Sequence, residues 1–178
     1  MELTISIIAV IISFVTFLYS VLVEYRGEQR AKKQATLEAL NLLQKQVFDK
    51  LNEYTFAEIK NISDKWNESA EEKRKFVTAK KGTAIDFWNS HHEYDNAVNE
   101  YRVLSGYLAR IEHFALGVNT GIYDVEVTER AATSYFTMLY KKLEPLIMTK
   151  NSSNNSSYEN KYHKEFMSLV ASLKKYEQ

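Results

Sequence analysis

The chain has 178 residues, and its 23 basic and 23 acidic side chains give a formal net charge of zero. This balance argues against a domain that binds long nucleic acid by charge alone, although it leaves room for a local basic pocket. Five glycines and one proline are too few for a β protein with many turns, and the absence of cysteine agrees with a reducing compartment. We therefore expect an all-α chain whose core uses its 12 tyrosines and 9 phenylalanines.

The first element in chain order is an apolar segment. Residues 3–23 carry no charged side chain over 21 positions, and a helix of that length spans about 30 Å, the thickness of a bilayer's hydrocarbon core. A signal peptide would begin with positive charge and end at a small-residue cleavage site, but the chain begins Met1-Glu2 and the segment lacks such a site. A buried core helix is the alternative, and it would be unusually long. The sequence thus predicts a transmembrane anchor over residues 1–24.

The charges that flank the anchor predict its orientation. Only the terminal amine and Glu2 precede the segment, whereas four basic residues follow it closely: Arg26, Arg30, Lys32 and Lys33. Because positively charged flanks stay in the cytoplasm, we expect a single-pass protein with its N-terminus outside and its C-terminal domain in the cytoplasm.

Residues 25–60 are predicted to form a helical stalk that continues the anchor. Apolar residues recur along it at helical spacing, among them Leu37, Leu40, Val47 and Leu51. The polar run at 61–69 predicts a break in the helix. Ser69, followed by Glu72, predicts a capping box that starts the next helix.

A helical bundle is predicted over residues 61–150. Three helices are expected within it, at about 70–80, 83–116 and 125–144. Gly117 is placed as the C-cap of the second helix, Asp124 as the N-cap of the third, and Pro145 as the residue that ends or kinks it. Two further predicted segments complete the chain, a polar linker at 151–157 and a C-terminal helix at 158–178.

Small and hydroxylated residues form a stripe inside the predicted anchor. They repeat at intervals of three and four and therefore share one helix face: Ser6, Ala9, Ser13, Thr16 and Ser20. Such a face lets transmembrane helices approach closely and hydrogen-bond across the contact, so we expect a homo-oligomer. In an oligomer the same face could line a narrow polar path for ions. The alternative is that the hydroxyls bond to carbonyls of their own helix.

The segment 107–124 is the densest in unusual residues and holds two glycines, Gly117 and Gly121. One interpretation is a structural corner, an αα-hairpin whose glycines supply special backbone angles. The other is a pocket for an anion, such as a nucleotide or a short oligonucleotide, beside the start of the next helix. The candidate ligand-binding residues are Arg110, His113, Asn119, Tyr123 and Arg130.

A metal site is suggested only weakly, by His91, His92 and Asp95. His91 and Asp95 stand four apart on a predicted helix, but no second cluster completes the three protein ligands that catalytic zinc takes, so a solvated helix face is favoured. The sequence contains no phosphate-binding loop, zinc-protease motif or serine-nucleophile motif. We expect no metal, no cofactor and no enzymatic activity.

The run YLARIEHFALGVNTGIYD, at residues 107–124, resembles a block found in a bacterial family of uncharacterised proteins, as do Tyr101 before it and Pro145 after it. Members of that family combine an N-terminal membrane helix with a small helical domain. The similarity covers roughly the last half of the domain and the position of the anchor. It implies a protein of the bacterial inner membrane, but it implies no activity.

By layout alone, the chain also looks like membrane effectors of bacterial anti-phage systems, including the effector of Hailong-type systems. There a nucleotidyltransferase makes a DNA oligomer that controls a membrane channel, so the likeness implies an oligonucleotide ligand and a companion nucleotidyltransferase. We expect a homo-oligomeric membrane effector, channel-like or pore-like, that is controlled by a ligand sensed in its cytoplasmic bundle during antiviral defence. The alternative is a membrane-tethered scaffold that holds a cytoplasmic protein partner and conducts nothing.

Overall fold

The computed structural model describes residues 2–152 and 163–174, with side chains described for 12–149 and 163–174. Every regular element within these residues is helical, which confirms the all-α prediction. In chain order the elements are α1 (Glu2–Leu43), a π-helical turn (Gln44–Phe48), α2 (Asp49–Asn52), α3 (Phe56–Thr78), α4 (Ala84–Ser90), a 3₁₀ turn (His92–Tyr94), α5 (Asp95–Asn119), α6 (Val125–Ser152) and α7 (Lys164–Lys174).

Helix α1 runs without interruption from the predicted anchor into the bundle. Large apolar side chains are exposed along its described part, from Ile12 to Tyr25. Of the helices in the described part of the chain, none is both long and apolar enough to cross a membrane. The side chains of residues 2–11, which belong to the predicted anchor, lie outside that part.

The end of α1 and the π-helical turn that follows it belong to the core of the bundle. Their buried side chains, together with one from α2, form a continuous stripe: Leu40, Leu43, Val47, Phe48 and Leu51. A π-helical turn holds more residues than an α-helical turn, so the neighbours Val47 and Phe48 both face the core. The Gln44 amide donates to the Asp49 carboxylate at 2.8 Å across this turn. Residues 40–51 of the predicted stalk therefore contribute directly to the core.

The predicted break at residues 61–69 is wrong, because these residues lie inside α3. The break falls earlier, where Thr55 starts α3 with a capping box to Glu58. The Thr55 backbone N–H donates to the Glu58 carboxylate at 2.6 Å and lowers the pKa of that group. Ser69 caps no helix, since its hydroxyl donates to the Trp66 carbonyl at 2.8 Å within α3. The polar residues of 61–69 mostly cover the exposed face of this helix, and in the sequence such a face resembles a loop.

The prediction of one helix over 83–116 is also wrong. Thr83 starts the short helix α4 with a capping box to Asp86, and the chain then leaves helical geometry at His91, where φ is −126° and ψ is 58°. The His91 ring stacks on the buried Phe87 ring, with 4.1 Å between centroids. This aromatic contact stabilises the corner between α4 and α5, which the spacing of apolar residues does not reveal.

The turn between α5 and α6 differs from its prediction at one end only. Gly117 lies inside α5 and not at its C-cap, because the helix continues to Asn119. Gly121 has a φ of +79° and reverses the chain, a conformation that glycine adopts without steric cost. Asp124 caps α6 as predicted, since its carboxylate accepts a hydrogen bond from the Val127 N–H at 3.0 Å.

Helix α6 continues through Pro145 to Ser152, so the prediction that the proline ends the helix is wrong, and the alternative, a kink, stays a prediction. The helix is held on both sides of the proline because Leu143 and Leu146 are fully buried in the core. The Thr149 hydroxyl donates to the Pro145 carbonyl at 2.9 Å, one turn further along. Of the last two predicted segments, 151–157 and 158–178, the structure describes only residues 151–152 and 163–174.

Aromatic rings from several helices meet in the core. The Phe136 ring on α6 lies 5.6 Å from the Phe48 ring and 5.6 Å from the Phe114 ring, measured between centroids. The Phe166 ring of α7 lies 6.2 Å from Phe136 on a further side. Each such pair contributes about 0.5–1.5 kcal/mol beyond the burial of its area. The expected aromatic core is therefore formed, and Phe136 joins the π-helical turn to α5 and α7.

A buried hydroxyl joins α1 to the start of α6. Thr36 has no exposed surface, and its Oγ1 accepts a hydrogen bond from the Asp124 N–H at 2.7 Å. The same hydroxyl donates to the Lys32 carbonyl at 2.8 Å. Asp124 is itself buried, and its carbonyl accepts from the Thr128 hydroxyl at 2.9 Å. The entry of α1 into the bundle is thus tied by a hydrogen bond to the residue that caps α6.

We expect Thr36→Val to lower the free energy of unfolding by about 1–3 kcal/mol, because it leaves the buried Asp124 N–H without an acceptor. The matched control is Thr133→Val, since the Thr133 hydroxyl donates only to the Glu129 carbonyl of its own helix. The control should change stability by about 0.5 kcal/mol or less. Chemical denaturation of the full chain in detergent measures both. Equal losses for the two variants would contradict a special role for the Thr36 bond.

Candidate functional site

An open cleft lies between α1 and α5, beside the turn that joins α5 to α6. Its volume is about 660 Å³, which falls within the range of roughly 300–1,000 Å³ that is usual for small-molecule sites. The walls are largely apolar and come mostly from α1: Ala35, Ala39, Leu42, Leu43, Val47 and Phe114. The cleft therefore combines a size suited to a small ligand with an apolar lining.

Polar side chains also line the cleft, and they include three of the five predicted ligand-binding residues, Arg110, His113 and Tyr123. Arg110 and His113 stand three apart on α5 and so share one face of the helix. Tyr123 reaches the cleft because the chain reverses at Gly121. The structure thus brings together residues that the sequence separates by a helix end and a turn.

Arg110 is held at the cleft by a contact to the π-helical turn. Its Nη1 donates to the Gln46 side-chain oxygen at 3.2 Å. A guanidinium has five N–H donors, so this bond leaves donors that a ligand can use. Because Gln46 lies in the π-helical turn, a ligand that engages Arg110 also acts on that turn.

His113 and Glu38 are two further polar residues that line the cleft. The Nδ1 of His113 lies 2.9 Å from the Ala109 carbonyl, which can only accept, so Nδ1 carries a proton and Nε2 is left for the cleft. The Glu38 carboxylate accepts from the Gln34 amide at 2.9 Å. The cleft therefore places the Arg110 guanidinium on α5 across from the Glu38 carboxylate on α1.

One wall depends on a close approach between Gly117 and Tyr123. The Tyr123 N–H donates to the Gly117 carbonyl at 2.9 Å, and its ring stacks on the Phe114 ring with 5.1 Å between centroids. A Cβ at position 117 would lie 2.5 Å from the Tyr123 ring, closer than any tolerable contact. Glycine is therefore needed here for space, and Gly121 is needed for its backbone angle.

Comparison with known proteins places these elements in one family. Residues 3–171 match the family model described as a domain of unknown function, DUF4760. The chain belongs to this family. The matched span includes α1, the cleft and most of α7, so the cleft lies within the DUF4760 domain. No curated protein and no solved structure matches the chain.

The remaining two predicted ligand-binding residues of this DUF4760 chain do not line the cleft. Asn119 follows Arg110 by nine positions, which is about two and a half helical turns, so it lies on the opposite side of α5. Its amide donates to the backbone carbonyl and the carboxylate of Glu165, at 3.0 and 2.7 Å. Arg130 donates to the Glu126 carboxylate at 2.6 Å, one turn earlier on α6. Both side chains are engaged in contacts that stabilise helices.

Sequence reasoning gave no role to Glu112, which proves to cap α7. Its two carboxylate oxygens accept the backbone N–H groups of Glu165 and Phe166, each at 2.9 Å. A carboxylate at a helix N-terminus satisfies donors that lack an intrahelical partner and interacts favourably with the helix dipole. The DUF4760 domain thus uses the same helix, α5, to line the cleft and to dock α7. No local pattern could reveal this pair, because its members are more than fifty residues apart.

The small-residue stripe of α1 is described in part. Its three members within the described side chains are exposed: Ser13, Thr16 and Ser20. The Thr16 hydroxyl donates to the Ile12 carbonyl at 2.8 Å, and the Ser20 hydroxyl donates to the Phe17 carbonyl at 2.8 Å. The side chains of the other two members, Ser6 and Ala9, lie outside the described part. A role for the stripe in oligomer contacts stays a prediction.

The histidines near the start of α5 make local contacts. His92 is exposed, and its Nδ1 lies 3.0 Å from the Asp95 carboxylate. The Nδ1 of His91 lies 2.9 Å from the Phe87 carbonyl. Among the residues that the structure describes, no group of three or more candidate ligands could hold a metal ion.

We expect Gly117→Ala to lower the free energy of unfolding by about 1–3 kcal/mol, because the added methyl group must displace the Tyr123 ring from Phe114. The control is Gly106→Ala in the same helix, where an added Cβ meets nothing within 4 Å. That change should stabilise the helix by about 0.5–1 kcal/mol. Denaturation curves of the two full-length variants give both values. Stabilisation by Gly117→Ala would show that the close approach does not constrain the turn.

Proposed function

We propose that this DUF4760 chain is a homo-oligomeric bacterial membrane effector, channel-like or pore-like, that is controlled by a ligand bound in the cleft. In this proposal residues 1–24 are a single transmembrane anchor with its N-terminus outside, the rest of α1 continues it into the bundle, and the bundle senses the ligand in the cytoplasm. The apolar run over 3–23 and the basic residues that follow it support the anchor and its orientation.

One observation carries the proposal: α1 is a single helix that contains the apolar run and also forms a wall of the cleft. A ligand in the cleft touches α1 at Leu42 and the π-helical turn at Gln46. A rigid helix transmits a rotation or a tilt along its length, so a change at the cleft reaches the apolar run without any intermediate domain. This is the arrangement that a ligand-controlled membrane protein needs.

The π-helical turn supplies a place where α1 can change state. Such turns are rarer than α-helical turns and are frequent at functional sites. Here the turn holds Gln46, which Arg110 contacts, and Phe48, which packs on Phe136. A ligand that draws Arg110 away from Gln46 alters one side of the turn. A shift of packing at Phe48 would then move α1 relative to α6, as in other switches built from two packing states.

Assembly of the anchor is proposed to use the small-residue stripe, because small side chains let helix backbones approach in a bilayer. The proposed setting is antiviral defence, in which the ligand of the cleft is the signal. That setting is supported by the layout alone, an apolar N-terminal helix joined to a small helical domain.

The second candidate function is a membrane-tethered scaffold without conduction, and the outer end of α3 favours it. Residues 73–85 hold five basic and no acidic side chains. Two large apolar side chains are exposed in the same stretch, Val77 at 43% and Ile85 at 71%. Exposed apolar side chains among basic residues suit an acidic protein partner.

Membrane potential in cells separates these functions. We expect production of the full chain in bacteria to depolarise them, as read by a potential-sensitive dye, and Ser13→Leu with Thr16→Leu to restore the potential because bulky side chains push the anchors apart. The matched control, Val15→Leu with Leu22→Ile, changes the opposite side of the helix and should leave depolarisation intact. A chain that sediments with membranes but never changes the potential would support the scaffold. A chain that stays in the soluble fraction would contradict both functions.

A further inference from the structure

We infer that the ligand of the cleft is an amphipathic anion, with one carboxylate or phosphate head group on an apolar chain. This inference rests on the proposed function only in taking the cleft as the ligand site. It narrows the ligand from anions in general to one with a single charged end. The reasons lie in the distribution of charge and apolar surface along α1.

The head-group end of the cleft is formed by Arg110, Gln46 and His113. Arg110 is exposed, and one of its N–H groups donates to the Gln46 side-chain oxygen. Arginine binds a carboxylate or a phosphate through two parallel N–H donors, a geometry that its planar group provides without rearrangement. The NH₂ group of the Gln46 amide adds a neutral donor for a further oxygen. These donors are enough to bind one anionic group, but they are too few to bind several.

The rest of the cleft is an apolar trough along α1. From Ala35 to Gln46 the helix axis advances by about 16 Å, and the wall between them is made largely of Ala39, Leu42 and Leu43. The two alanines leave space that larger side chains would fill. Leu42 remains 57% exposed although it lies beside the core, so an apolar chain laid in the trough removes its side chain from water. Burial of such a chain is favourable by about 0.8 kcal/mol for each CH₂ group.

A polyanion such as an oligonucleotide fits the cleft poorly. Glu38 lies on the same wall, and it precedes Gln46 by eight positions, or about 12 Å along the helix. A second phosphate lying along the trough would approach this carboxylate, and like charges repel. Arg130 and Asn119, the groups that could have held further phosphates, are engaged outside the cleft with Glu126 and Glu165. Charge complementarity thus selects a ligand with one anionic end.

Photolabelling of the full chain in lipid nanodiscs tests the inference directly. The probe is a fatty acid that carries a diazirine in its chain, and mass spectrometry maps the labelled peptides. We expect labels in two regions that the fold brings together, 35–47 and 110–123. Octanoate and octyl phosphate should compete with the probe, and the stronger competitor identifies the head group. Inorganic phosphate, which has no apolar chain, and a short oligothymidylate should not compete.

Three variants of cleft residues and one control outside the cleft connect labelling to the site. Arg110→Ala should lower labelling of both regions about tenfold, as expected for loss of one charge-assisted contact, whereas Arg102→Ala, on the same helix outside the cleft, should not. Leu42→Asp should also abolish labelling, and because the side chain is exposed the fold tolerates the change. Glu38→Gln should leave labelling unchanged or raise it.

The outcomes separate this inference from the proposed function. Competition by oligothymidylate but not by octanoate would overturn the amphipathic ligand, as would labels confined to the apolar run of α1. Either result leaves the depolarisation assay unaffected, since that assay uses no added ligand. Conversely, labelling of the cleft in a chain that never depolarises cells would keep the ligand and reject the effector.

Discussion

The hydroxyl of Thr36 fixes where α1 meets the rest of the domain. It is fully buried, and it bridges the Lys32 carbonyl and the Asp124 N–H. Asp124 in turn caps α6 through the Val127 N–H, so the first turn of α6 is positioned relative to α1. The turn that precedes Asp124 carries Tyr123 to the cleft. The wall of the cleft, the start of α6 and the entry of α1 therefore depend on one buried hydrogen bond.

The arrangement of charge in the cleft depends on the hydrogen bond between Thr36 and Asp124. Because α1 is fixed at Thr36, its last two turns and the π-helical turn lie across from the face of α5 that carries Arg110 and His113. The chain as a whole is neutral, yet the cleft separates a cationic end from a carboxylate at Glu38. A neutral domain can thus be selective for one anionic group, because selectivity depends on the local arrangement of charge and apolar surface.

The sequence correctly predicts features that depend on composition or on residues close together in the chain. The all-α class and the Asp124 cap follow from composition and capping preference. The polar run 61–69 does not break the helix, although the exposed face of α3 has the composition of a loop. Pro145 does not end α6, because the burial of its neighbours outweighs the cost of a proline within a helix. For the site, the spacing of Arg110 and His113 was enough to place them on one face. The spacing of nine residues between Arg110 and Asn119 likewise indicates that Asn119 lies on the other side of α5.

Contacts between distant segments could not be predicted in this way. The Glu112 cap of α7 and the Arg110–Gln46 bond join residues more than fifty positions apart.

The proposed function requires α1 to enter a bilayer. Spin-label accessibility tests this most directly, because a chain without cysteine accepts a single label at Tyr19→Cys or at Arg30→Cys. In vesicles the label at 19 should be accessible to oxygen and shielded from a water-soluble nickel reagent, with the reverse at 30. Equal access of the nickel reagent to both labels would contradict the account.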